Sequence, residues 1–168
     1  MLGSLFIGQT VETIAQALTA AGIAAGADDT GAVAVLGQPR VGRALRELGY
    51  RVIVIAEKRK SLRRMGGECA YGRLDALPLA QGGLAGLIGF EVGTSDDWQP
   101  LLCGWLRAVR NDGVVVLVDR ASPSELTRRA LCCGLLDIEQ RQTGRTFITS
   151  GLVARIEVSA QNFASGEV

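Results

Sequence analysis

From residue 32 onward, short β-branched apolar runs alternate with amphipathic segments of helix length. This rhythm constrains the fold more than any other feature of the chain. A strand that is apolar on both faces is stable only in a sheet covered on both sides, and helical crossovers supply that cover. The runs are AVAVL (Ala32–Leu36), VIVI (Val52–Ile55), GLAGLIGF (Gly83–Phe90) and VVVLVD (Val114–Asp119). The spacing therefore predicts an α/β fold of three layers around a mostly parallel, twisted sheet. With 168 residues the chain suits one ordinary core, since chains divide into several only above roughly 250–300 residues.

The connecting segments carry their own signals. In RVGRALRELG, Val41, Ala44, Leu45 and Leu48 recur at helical spacing, and Gly49 is placed to end the helix. EKRKSLRRM reads as a short basic helix, and ECAYGRLDALPL as a brief third strand followed by a loop, because Pro78 cannot continue a ladder. Thr94 to Asp97 offer caps for a helix running through Trp98, Leu101, Leu102, Trp105, Leu106 and Val109, after which Asn111–Gly113 makes a turn into the next strand. Ser122, Pro123 and Glu125 form a capping-box pattern that opens another helix. The segment from Leu135 onward reads as two strands joined at Thr143-Gly144, an antiparallel hairpin at one sheet edge. Residues 1–30 carry a separate helical pattern (Val11, Ile14, Leu18), so the organisation expected is a helical extension over 1–30, one domain over 31–158 and a flexible tail over 159–168.

Composition removes several kinds of chemistry. The chain contains no histidine, which excludes Ser-His-Asp and Cys-His hydrolases, HExxH zinc sites and two-His iron sites. The four cysteines have no CxxC spacing, so neither a zinc site nor a disulfide framework is indicated, and a reducing cytoplasm is the expected setting. Mean hydropathy is +0.24, yet no uninterrupted apolar run approaches the roughly 18 residues of a spanning helix. Glu12 and the missing basic n-region argue against a cleaved signal peptide at the start. A net charge of +1 argues against bulk nucleic-acid binding. That balance conceals Lys58, Arg59, Lys60, Arg63 and Arg64, five cations in seven residues, which form either a solvated helix face or a docking surface for an acidic partner.

The order of these pieces resembles the class I S-adenosylmethionine-dependent methyltransferases over residues 31–155. RALRELGYRVIVIAEKRKSLRRM is similar to that family's first helix, second strand and following helix. GRLDALPL resembles its adenine-side loop, and WLRAVRNDGVVVLVD its fourth helix and fifth strand. The resemblance implies a Rossmann-like sheet ending in an antiparallel hairpin. It also implies a cofactor site in which Gly37, Gln38 and Gly42 line the cofactor, Glu57 holds ribose, Asp75 lies on the adenine side and Glu91 contacts the acceptor.

Each of these motifs departs from the family pattern. VAVLGQPRVG lacks the acid of the first strand and carries Pro39 where the second glycine of G-x-G belongs. Proline places a ring, and no N–H, where the backbone must approach the cofactor. Arg40 adds a cation near the place of the sulfonium. Ala56 stands at the ribose position with Glu57 one residue late, which on a strand reverses the face. Arg73 replaces the adenine acid with Asp75 displaced, and FEVGTSDD lacks the Asn/Asp-Pro-Pro-aromatic pattern of amino-methylating members. Two lost carboxylate contacts at about 1.5–3 kcal/mol each weaken binding by roughly 10² to 10⁴.

The expectation is a noncatalytic, methyltransferase-like interaction or regulatory module that holds no cofactor and has a protein partner or a second copy of itself. The alternative is a small active methyltransferase with a divergent glycine loop. GQPRVG also aligns to G-x-G-x-x-G with Glu57 twenty residues after Gly37, the spacing of a dinucleotide fingerprint. Proline at the middle glycine counts against that reading too.

Overall fold

The computed structural model describes residues 4–155. Helix α1 (Ser4–Ala20) precedes β1 (Val33–Leu36), α2 (Pro39–Glu47), β2 (Val52–Ala56), α3 (Arg59–Leu62), β3 (Cys69–Tyr71) and β4 (Leu84–Phe90). Helix α4 (Trp98–Ala108), β5 (Val109–Asp119), α5 (Pro123–Cys132), β6 (Leu135–Thr143) and β7 (Thr146–Val153) follow. These strands form one seven-stranded sheet in the order β3-β2-β1-β4-β5-β7-β6. The first five are parallel, and β7 runs antiparallel between β5 and β6. This is the α/β sheet with a C-terminal hairpin that the sequence rhythm predicts.

Strand alternation assigns each central residue to one of two apolar layers. Val33, Val35, Val54, Ile88 and Val116 pack in the layer that holds α1 and α2. Ala34, Leu36, Ile55, Leu87 and Leu117 pack in the layer that holds Leu102 and Trp105 of α4. Val11, Ile14 and Leu18 of α1 are buried in the first layer, so the N-terminal stripe covers the sheet directly. Gly89 makes room for Trp105, since a Cβ there would stand 2.1 Å from the indole. The short basic segment and the loop after β3 replace longer crossovers. Gly49, at φ +97°, ends α2 in a Schellman motif: Tyr50 N–H donates to the Leu45 carbonyl and Gly49 N–H to that of Arg46.

Three local expectations need correction. Helix α4 stops at Ala108, and Val109 already belongs to β5, paired with Leu84. The residues between Val109 and Val114 form a bulge, with Asp112 at φ 60°, because Gly86 pairs with Val114 and leaves no partners for those between. Ser122 does cap α5 by position, but its side chain makes no cap hydrogen bond. Its Oγ lies 2.8 Å from that of Ser124. Glu125 turns to Arg128 and Arg129, 2.7 Å from each, because charged donors outcompete a neutral backbone N–H. The tail expected over 159–168 lies outside the described residues.

Candidate functional site

An open sheet of this kind binds ligands at the carboxyl ends of its strands, where the strand order reverses. Here the chain leaves β1 for β2 on one side and later returns to place β4 on the other, so the reversal lies between β1 and β4. A cavity of about 950 Å³ opens there. Gln38 and Pro39 after β1, Phe90 and Glu91 at the end of β4, and Val118 and Asp119 at the end of β5 line it. Ile7 of α1 lines it as well.

Local structure fixes the rim. Asp119 is buried, and its carboxylate accepts from the backbone N–H groups of Gly93, Arg120 (2.7 Å) and Ala121 (2.9 Å). One side chain thus ties the turn after β4 to the turn after β5. Arg129 braces the same turn from α5: it donates to the carbonyls of Val92 and Ser95 and lies 5.1 Å from the Trp98 ring centre. Between these ties Glu91 is held at φ 60°, a left-handed conformation costly for a residue with a Cβ.

Six cations face the cavity from four segments. Arg40 and Arg43 come from α2, Lys60 from α3, Arg63 and Arg64 from the turn after it, and Arg120 from the end of β5. Against the carboxylates of Glu91 and Asp119, six positive charges leave a local balance of +4. Among the described residues none of the six is ion-paired. The basic run Lys58 to Arg64 is therefore divided. Lys60, Arg63 and Arg64 turn to the cavity, whereas Lys58 and Arg59 do not line it, and Arg59 stacks 4.9 Å from the Tyr71 ring centre.

Of the residues expected at a cofactor site, two line this cavity and four do not. Gln38 and Glu91 line the cavity; Gly37, Gly42, Glu57 and Asp75 do not. Gly42 is buried against β2, where a Cβ would come within 2.4 Å of Val54 Cγ2, so helix and strand pack closely there. Asp75 is bound bidentately to Arg73, whose donated hydrogen bonds lower its pKa. Glu57 Oε1 accepts from Leu74 N–H at 3.1 Å. The carbonyl of the same Leu74 accepts from Trp105 Nε1 at 2.7 Å, and its Cδ1 stands 3.4 Å from where a Cβ of Gly37 would be. The loop after β3 is thereby latched over the end of β1 by Glu57 on one side and Trp105 on the other.

Sequence reasoning did not single out Leu74, Arg43, Arg120 or Asp119. Leu74 reads as one more apolar loop residue, and Arg43 of α2 is brought beside Asp119 and Arg120 at the end of β5 only by the sheet. An acid closing the VVVLVD run was the one visible signal for Asp119.

No protein-family model and no curated protein matches this sequence. Solved structures do. An assigned S-adenosyl-L-methionine-dependent methyltransferase from Methanococcus maripaludis is similar with a TM-score of 0.71 at 12% identity, over 94% of this chain and 90% of that one. A chain in the complex between the Haloferax volcanii Trm112 methyltransferase activator and a methyltransferase gives 0.66 at 14%, over 88% and 92%. Geranyl diphosphate C-methyltransferase from Streptomyces coelicolor, solved with Mg2+, geranyl diphosphate and S-adenosyl-L-homocysteine, gives 0.66 at 12%, over 88% and 78%. The fold is that of the class I S-adenosylmethionine-dependent methyltransferases. Among the described residues no helix is long and apolar enough to cross a membrane.

Proposed function

We propose that this chain is a noncatalytic protein of methyltransferase fold, an interaction or regulatory module whose S-adenosylmethionine site has been lost. The observation that carries the reading is the latch. The carboxylate at the end of β2 accepts the Leu74 N–H through Oε1, and Leu74 packs against Gly37, so the loop after β3 stands against the end of β1. Charge supports it as well. S-adenosylmethionine carries a net positive charge, and the adjoining cavity presents six cations against two carboxylates. These residues suit that cofactor poorly, so no chemical step is assigned to it. The partner is another protein or a second copy of the chain, as a chain of this fold from H. volcanii occurs with an activator protein.

Calorimetry with S-adenosylmethionine and S-adenosylhomocysteine tests this reading. The expected result is no binding heat at millimolar ligand. Micromolar binding that disappears in Glu57→Ala overturns it. One observation favours the active alternative, with Glu91 facing an acceptor: Glu91 is held in a left-handed conformation at the lip of an open cavity, and such strain gathers at functional sites. Binding in the calorimeter would restore that reading.

A further inference from the structure

We infer that the cavity between α1, α2, α3 and the ends of β4 and β5 is a binding site for a small organic phosphate or diphosphate with an apolar body. The inference does not depend on whether the chain retains any methyltransferase activity. It rests on three observations that coincide at one place. The cations converge: Arg40, Arg43, Lys60, Arg63, Arg64 and Arg120 arrive from four separate segments, and among the described residues none has an ion-pair partner. Unpaired like charges held together repel one another, and an anion shared between them relieves that cost while the guanidinium forks offer bidentate donors to phosphate oxygens. Among the described residues Glu91 and Asp119 are the only carboxylates lining the cavity against six cations, and Asp119 accepts three backbone N–H groups.

The second observation is shape. A volume of about 950 Å³ is that of a small-molecule site, and the charges line a concavity instead of a convex helix face. The third is the apolar wall. Ile7, Met65, Phe90 and Val118 line the same cavity, which a bare inorganic ion would leave in contact with water. A cavity lined by both cations and apolar side chains matches a ligand with a phosphorylated end and a hydrophobic or aromatic end. A nucleic-acid strand or an acidic protein would use the outer face of the basic run as well, yet Lys58 and Arg59 lie outside the cavity and Arg59 is stacked on Tyr71.

The test is calorimetry of the full chain with inorganic pyrophosphate and phenyl phosphate at low salt, together with Arg40→Ala/Arg63→Ala and Lys58→Ala variants. All three replaced side chains are exposed, so the variants keep the wild-type melting temperature, which is measured alongside. Both probes are expected to bind, with affinity falling at least tenfold in the double variant, unchanged in Lys58→Ala, and weakening steeply with added salt. Absence of binding by either probe at millimolar concentration overturns the inference. So does an equal loss in Lys58→Ala. A single-stranded oligonucleotide or an anionic vesicle that binds more tightly than both probes, with equal sensitivity to Lys58 and Arg63, overturns it in favour of a macromolecular surface.

Discussion

Replacing Gly42 with alanine separates a packing glycine from a cofactor glycine by the sign of its effect. Gly42 lies in the interior of α2, where alanine is normally favoured over glycine by about 1 kcal/mol. A glycine kept only to leave room for a ligand in an open site would therefore give a more stable protein when changed to alanine. Here the new Cβ would stand 2.4 Å from Val54 Cγ2, more than 1 Å inside ordinary contact, with Val52 Cγ1 at a comfortable 3.7 Å behind it. Helix and strand must separate, and such overpacking costs about 1–3 kcal/mol. The net expectation is a loss of up to about 2 kcal/mol, or roughly 2–8 °C in melting temperature for a domain of this size. The Val54→Ala background removes the offending methyl. There Gly42→Ala should become stabilising, raising the melting temperature by a few degrees relative to Val54→Ala alone. Thermal melts of the four proteins followed by circular dichroism measure both signs. The packing account fails if Gly42→Ala stabilises the wild-type protein, or if its penalty is the same in both backgrounds.

Other perturbations follow from the same geometry. Asp119→Ala leaves the N–H groups of Gly93, Arg120 and Ala121 without their buried acceptor, and a urea melt should show a loss of about 2–4 kcal/mol. The Glu125 carboxyl is held down to about 2 from its ordinary 4.5 by hydrogen bonds from Arg128 and then Arg129. Its folded pKa is depressed, so its stabilising contribution is complete above about pH 4.5 and is lost as pH falls through about 2; a carbon-detected NMR titration midpoint near 4.5 would contradict this. Burial, together with a hydrogen bond shared with Cys103, pushes the Cys133 thiol up to about 12, so iodoacetamide at pH 8.5 should label exposed Cys132 well before Cys133, as peptide mapping would show.

The layered fold was readable because it depends on periodicity alone. Val33 and Val35 face one layer while Ala34 and Leu36 face the other, and any run with that composition in a parallel sheet must do the same. Local competition was harder to read. Glu125 had a backbone N–H and two arginines within reach, and nothing in its spacing from Ser122 says which will win. Val109 continues a helical stripe in sequence, but pairing with Leu84 makes it a strand residue. The cavity was partly visible, since the basic run supplies Lys60, Arg63 and Arg64. What the run could not reveal is that α2 and the end of β5 add Arg40, Arg43 and Arg120 to the same concavity, because that convergence is a property of sheet order and not of neighbouring residues. The Glu57 to Leu74 contact, across 17 residues, was hidden for the same reason.

The account turns on that contact, and its amide can be observed directly. An NMR titration of isotope-labelled protein with S-adenosylhomocysteine, followed at the backbone amides of Gly37 and Leu74, reports whether adenosine enters between them. If the latch closes the site, both resonances stay unmoved up to millimolar ligand, and the Leu74 amide remains protected from hydrogen exchange by Glu57. Saturable shifts at both amides, with Leu74 losing its protection as ligand is added, would contradict the account and return this chain to the cofactor-binding methyltransferases.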